Sequence, residues 1–212
     1  MSKMHKVWVI LVALFVLPVC GLAQNEPIQA DSFLGELSGG KYRNDFFGFT
    51  LTPLPEMYVF SGDERNSYKK AGVELISKDI EKGRAAFEKA AGQEVLIFSV
   101  AMAKPELRGI SSLNVGALKQ PAGATPSLVC DTAAEFLVRN PSFTVTSKTA
   151  TLKRRGKDFA RIEFAFASGD QKLSLRYYAT IQNGYSITFV ITHLSKTDLD
   201  AFEKVLDSLD FP

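Results

Sequence analysis

Histidine and cysteine supply most of the general bases, nucleophiles and metal ligands that work near neutral pH. This chain of 212 residues holds two of each. They are His5, Cys20, Cys130 and His193, and the first two fall in an N-terminal stretch that carries a message of its own. One histidine and one cysteine do not make the familiar zinc sets. A Ser-His-Asp triad would need His193 as its base, yet His193 ends a strand-like run just before a helix start, the place of a junction residue. Cys130 lies in Ser127-Leu-Val-Cys-Asp-Thr-Ala-Ala-Glu-Phe-Leu, where Cys130, Ala133, Ala134 and Leu137 share one helical face. That spacing makes it a small buried hydrophobe. There is no Gly-x-Ser-x-Gly elbow, no His-Glu-x-x-His and no glycine-rich loop for phosphate or dinucleotide. Neither catalytic residues nor a metal site nor a cofactor is expected.

Two charged groupings remain. Asp198, Asp200, Glu203 and Asp207 fall on one helical stretch near the C-terminus. Asp198 and Asp200 stand near its start, where negative charge favours the helix dipole. A calcium site would want six or more oxygens from a shaped loop. Lys153, Arg154 and Arg155 with Lys157 make a basic hairpin tip. It is the surface feature expected to touch an acidic partner or an anionic lipid.

The N-terminus reads as an export signal. Lys3, His5 and Lys6 precede an apolar run from Val7 to Val19, and Gly21-Leu22-Ala23 supplies a small-x-small cleavage site. The run is short for a membrane span, which takes roughly 20 apolar residues. Val19 stands where a lipoprotein peptidase wants Gly, Ala or Ser, so lipidation of Cys20 is not expected. The cut is placed after Ala23 or Gln24, giving a signal over 1–23 and a periplasmic or secreted product. The precursor has 25 Lys plus Arg against 23 Asp plus Glu. Loss of Lys3 and Lys6 leaves 23 of each sign. A neutral chain lacks the electrostatic term behind most nucleic-acid affinity, so no DNA or RNA partner is expected. With Cys20 gone, Cys130 has no partner for an internal disulfide.

The elements that position these groups follow from periodicity. What remains after cleavage suits one domain by length, with 16 Phe in the whole chain to fill a core. Residues 24–40 are polar and rich in small residues and read as a flexible leader, with the domain over 41–212. Tyr42 to Thr52 predicts a hairpin turning at Asn44-Asp45. Val73 to Ser77 fits a strand, Asp79 to Ala91 a helix capped by Gly92, and Val95 to Ala103 a core strand. Glu106 to Ala124 reads as a long loop. Thr125-Pro126 then starts a helix running to about Arg139. Four strands follow, over Phe143 to Leu152, Asp158 to Ala167, Lys172 to Ile181 and Tyr185 to Thr192, the last pair joined by Asn183-Gly184. In that pair Leu173, Leu175, Tyr177 and Ala179 are expected to face the side of Tyr185, Ile187, Phe189 and Ile191. Ser195 to Leu209 closes the chain as an amphipathic helix with a capping-box start. Long antiparallel strands with helices before and after them predict an α+β sandwich.

Tyr42-Arg-Asn-Asp-Phe-Phe-Gly-Phe-Thr-Leu, followed by Pro53 and Pro55, is similar to the N-terminal strand pair of PsbP-like proteins. In that family an aromatic, an Asn and a Gly-Phe step precede a proline-bearing turn. The ending from Tyr177 to Phe211, with Ser208-Leu-Asp-Phe, looks like the family's last hairpin and closing helix. Where the family often has a Trp after the proline turn, this chain reads Glu56-Met57-Tyr58. The resemblance implies a central antiparallel β-sheet flanked by helices on both sides. Its members include thylakoid proteins that bind a photosystem, a small-GTPase-binding protein and exported bacterial proteins, which look like binding modules. No functional residue carries over. The expected function is an exported non-catalytic binding module that docks a protein or envelope partner through a sheet edge, the long loop or the basic tip. The rival is a small-ligand-binding protein or hydrolase whose site of Tyr, Arg and carboxylates shows no linear motif.

Overall fold

Two-residue turns with positive φ at both positions twist in the sense of the strands they join. The described residues hold three such turns, at Gly39-Gly40 (58° and 77°), Arg155-Gly156 (49° and 79°) and Asn183-Gly184 (52° and 77°). They close the hairpins around which the rest is built. The computed structural model describes residues 33–77, 80, 84–104, 111–168 and 171–211. Its strands are β1 (Glu36–Ser38), β2 (Lys41–Asn44), β3 (Phe49–Leu51), β4 (Tyr58–Val59), β5 (Val95–Ala101), β6 (Ser112–Lys119), β7 (Phe143–Val145), β8 (Ala150–Arg154), β9 (Lys157–Ser168), β10 (Gln171–Gln182) and β11 (Tyr185–His193). The helices are α1 (Gly62–Ser77), α2 (Arg84–Gln93), α3 (Pro126–Leu137) and α4 (Lys196–Asp207). The expected signal over 1–23 lies outside the described residues.

An antiparallel sheet of eight strands runs β4-β5-β6-β11-β10-β9-β7, with β8 also on β9, and a second sheet runs β1-β2-β3. One face of the large sheet carries Ile162, Phe164, Leu175 and Tyr177 under Val129, Cys130 and Leu137 of α3 and Ile76 of α1. The other carries Phe159, Tyr178, Phe189 and Ile191 beneath the small sheet and Phe202, Val205 and Leu206 of α4. Each fully buried aromatic or branched side chain contributes about 2 kcal/mol of transfer free energy. The fold is α+β with helices on both faces of its antiparallel sheet. Thr125 Oγ1 accepts from the Leu128 amide (3.2 Å) and Ser195 Oγ from the Asp198 amide (3.1 Å), so both expected caps form. No helix among the described residues is long and apolar enough to cross a membrane.

The structure corrects five readings. Val73 to Ser77 is the end of α1, not a strand, because α1 starts far upstream on a capping box. Ser61 Oγ accepts from the Glu64 amide while Glu64 Oε2 accepts from the Ser61 amide. The Glu106 to Ala124 loop holds β6, a central strand buried from Ser112 to Leu118. Phe143 to Leu152 is two strands, interrupted where Ser147 Oγ accepts from the Glu163 amide. Residues 36–38, assigned to the leader, pair with β2 from Glu36↔Arg43 to Ser38↔Lys41, so ordered structure begins ahead of the boundary set at 41. Finally, the two-residue turn fixes Gln182↔Tyr185 and Tyr177↔Val190 as partners. Paired residues share a face, so Leu173, Leu175, Tyr177 and Ala179 lie opposite to Tyr185, Ile187, Phe189 and Ile191.

Candidate functional site

The basic turn and the acidic helix, separate in sequence, meet in space. Arg154 on β8 reaches Glu203 and Asp207 of α4, each at 3.1 Å, and its side chain is only 16% exposed. Its guanidinium stands 5.3 Å from the Tyr178 ring centroid. Arg155 donates to the Asp207 carbonyl at 3.0 Å, neutralising the negative end of α4. Lys157 donates to Gln182 Oε1 at 3.3 Å. Lys153 lies 3.2 Å from Asp158, with both side chains in solvent. Glu203 also accepts from the Tyr178 hydroxyl (2.6 Å) and from Arg176 (3.0 Å). Burial alone would raise the pKa of Glu203, but these donors outweigh it and hold the carboxyl below its ordinary range. Asp198 accepts from Ser111 Oγ (2.6 Å), and Asp200 pairs with Lys196 one turn away.

His193 and Cys130 are both engaged with their surroundings. His193 Nδ1 is 3.1 Å from the Ser195 carbonyl, and burial holds the imidazole below its ordinary pKa despite that carbonyl. Cys130 is fully buried, and burial together with Asp131 pushes the thiol up to about 12. A thiol so placed carries almost no thiolate at neutral pH.

A different region offers an open site. β1 is the edge of the small sheet and β4 the edge of the large one, and no further strand covers either among the described residues. Between them opens a cleft of about 360 Å³ lined by Leu37, Tyr42, Tyr58, Phe60, Phe98 and Arg65. The rings form its walls, with Tyr42 4.4 Å from Phe98 and Tyr58 5.4 Å from Phe60 between centroids. The Tyr42 hydroxyl donates to the Ile97 carbonyl (3.4 Å) and accepts from the Gly35 amide (3.2 Å), so Tyr42 ties the two sheets together. Leu37 is 44% exposed beside the cleft, and Leu34 and Phe46 add exposed apolar surface on the small sheet. Arg65 is half-buried, and burial depresses its pKa. Its Nη1 donates to the Phe60 carbonyl at 2.9 Å. It forms no ion pair with a carboxylate among the described residues.

These cleft residues were not singled out in the sequence, apart from the aromatic position of Tyr42 within the family-like opening. Ser61-Gly-Asp-Glu64 was a readable capping box that would have placed the start of α1, and with it Arg65, next to Tyr58 and Phe60.

No family model and no curated protein matches the chain. Its structure is similar to the solution structure of cyanobacterial PsbP (CyanoP) from Synechocystis sp. PCC 6803. The TM-score is 0.51 at 13% identity, over 90% of this chain and 99% of that one. It is also similar to LpqN, involved in cell envelope biogenesis of Mycobacterium tuberculosis, over 77% of this chain and 83% of that one. That second likeness has a TM-score of 0.46 at 11% identity. The first spans nearly the whole of both chains and agrees with the layers described above, an antiparallel sheet between helices: the chain has a PsbP-like fold.

Proposed function

We propose that the protein is an exported, non-catalytic binding module that docks a protein or envelope partner where the edges of its two sheets meet. The observation that carries this reading is the aromatic cleft between β1 and β4, open to solvent and holding the guanidinium of Arg65, which forms no ion pair among the described residues. Interface cores are enriched in aromatic residues and Arg. The binding reading draws support from the groups best suited to chemistry being committed elsewhere: Glu203 to two arginines and a tyrosine, Cys130 to the core. Export is supported by the basic start, the apolar run from Val7 to Val19 and the small residues before Ala23. The basic turn is a second contact, made through Lys153, whose side chain is 74% exposed where that of Arg154 is 16% exposed.

The test is photo-crosslinking in envelope extract. A photo-reactive residue at Leu37 in the cleft captures a defined partner, whereas the same residue at Lys172, far along β10, does not. Equal capture from both positions, or from neither, overturns the reading. A Lys153/Arg154/Arg155→Ala variant weakens capture from Leu37 only modestly. Complete loss in that variant, with the fold intact by circular dichroism, would move the main contact to the basic turn.

A further inference from the structure

The charges within the cleft narrow what it holds. An arginine offers five N–H donors in a planar fork, and only Nη1 of Arg65 has a contact among the described residues. Its neighbour Glu64 is not available to it. Glu64 Oε1 accepts from the Tyr58 hydroxyl (2.5 Å) and Oε2 from the Ser61 amide (2.7 Å), so both oxygens serve the helix cap and the cleft wall. Hydrogen bonds from Tyr58 and Ser61, with Lys104 nearby, hold that carboxyl below its ordinary pKa. Lys104, 5.9 Å from the Tyr58 ring centroid, offsets the Glu64 charge. Glu64 and Arg65 are the two charged residues in the lining, and with both Glu64 oxygens engaged by Tyr58 and Ser61 the Arg65 guanidinium has no hydrogen-bonded carboxylate among the described residues.

The volume and the backbone set the rest. About 360 Å³ is at the small end of ligand pockets, so the cleft takes side chains of a longer segment and not a whole large ligand. Its two borders are strand edges with no neighbouring strand among the described residues, and an extended peptide adds to such an edge through main-chain hydrogen bonds. Apolar side chains of that peptide would meet Leu37, Tyr58 and Val59, the partly exposed members of the lining, over the buried rings of Tyr42, Phe60 and Phe98.

We infer that the occupant is an extended peptide segment of the partner that sets a carboxylate against the free face of Arg65 and apolar side chains against the aromatic walls. The inference rests on the docking reading above and adds the chemistry of the partner. Arg pairs with carboxylate through two parallel charge-assisted hydrogen bonds, which gives both energy and register.

A peptide-display selection of random ten-residue segments, run on the full mature chain, tests it. Wild type enriches segments with one Asp, Glu or terminal carboxylate among β-branched and aromatic residues. A synthetic winner binds about tenfold more weakly when its acid is replaced by the amide. Arg65→Gln loses that acid preference while still selecting apolar β-formers, and Tyr58→Ala loses both. Enrichment on wild type without any acid preference overturns the carboxylate assignment and leaves the docking reading standing. No enrichment on wild type overturns both. Arg65-dependent dimerisation in analytical ultracentrifugation would assign the cleft to a second copy of the chain and overturn the peptide assignment. Unchanged thermal melting of Arg65→Gln shows that any loss belongs to the site.

Discussion

The two faces of the large sheet each bury a carboxylate, and they treat it in opposite ways. On the α4 side, Glu203 is surrounded by the Tyr178 hydroxyl and two arginines, and those donors keep it ionised against the effect of burial. On the other side, Glu94 sits between α2 and β5, 4% exposed, with its carboxyl over Gly116 of β6. Thr188 Oγ1 of β11 reaches its Oε1 at 3.3 Å. Lys69 of α1 donates to the Glu94 backbone carbonyl and attracts its charge. Tyr177 of β10 and Cys130 of α3 add only groups whose burial favours the neutral form. Burial therefore wins over Lys69 and Thr188, and the Glu94 carboxyl is pushed up to about 8. What decides between ionised and neutral is the number of donors aimed at the oxygens, not depth alone.

The largest effect that can break this contrast is Gly116→Ala. A Cβ there would stand 2.1 Å from Glu94 Oε1 and 3.0 Å from Thr188 Oγ1. Glu94 is buried, so strands or helix must shift, at a cost of about 3 kcal/mol in urea unfolding. Pairing it with Glu94→Ala should return much of that loss in a double-mutant cycle, because the clash is with that one carboxyl. Strict additivity of the two would show that the glycine is needed for something else.

Next comes Glu203→Ala. It leaves Arg154, Arg176 and the Tyr178 hydroxyl without their shared acceptor, costing about 2 kcal/mol. The value sits below that of a fully buried pair because Asp207 on the outer side is open to water. The wild-type contribution is present above the ordinary carboxylate value of 4.5 and is lost as pH falls through the lowered folded value. The variant should therefore unfold with a shallower acid limb.

This contrast was half legible in the sequence. The capped helices, the Asn183-Gly184 hairpin and the closing helix each rest on local chemistry that a linear reading sees, and all three form. Strand β6 escaped because Ser112-Leu-Asn-Val-Gly-Ala-Leu-Lys alternates with its polar residues turned inward. Ser112, Asn114 and Gly116 face Ser99, Thr188 and Thr192 within a buried polar layer. A strand whose polar side is the inner one looks like a loop when polarity is taken as exposure. Arg154 was read as part of the basic tip, but its pairing with α4 and the placing of Arg65 escaped for a matching reason. A run of basic residues marks where charge is dense along the chain. Which of those charges remains unmatched depends on the helix that folds back over it, and only the tertiary structure brings Glu203 to one arginine and none to the other.

A smaller effect separates the two carboxylates by sign. In unfolded chain Glu94 titrates near 4.5, and in the fold near 8. Below 4.5 both states hold the proton. Between 4.5 and 8 only the unfolded chain releases it, so stability falls as pH rises across that window and levels off above it. Glu94→Gln removes a titrating group without changing shape. It should flatten the slope between pH 5 and 8 and make the variant more stable than wild type at pH 8. A variant that loses stability at every pH would mean that Glu94 works in the fold as an anion.

The smallest effect comes from the third buried charge. Arg65 is a half-buried cation with one side-chain hydrogen bond, to the Phe60 carbonyl, and no ion pair among the described residues, so its ionised form gains little from the fold that water did not already provide. Arg65→Gln keeps a donor for that carbonyl and removes an uncompensated charge. Its unfolding free energy should stay within about 0.5 kcal/mol of wild type, against the roughly 2 kcal/mol lost at Glu203. That outcome would leave the Arg65 guanidinium available to the carboxylate of the proposed peptide. A destabilisation as large as that of Glu203→Ala would instead make Arg65 a structural member of the junction between the sheets.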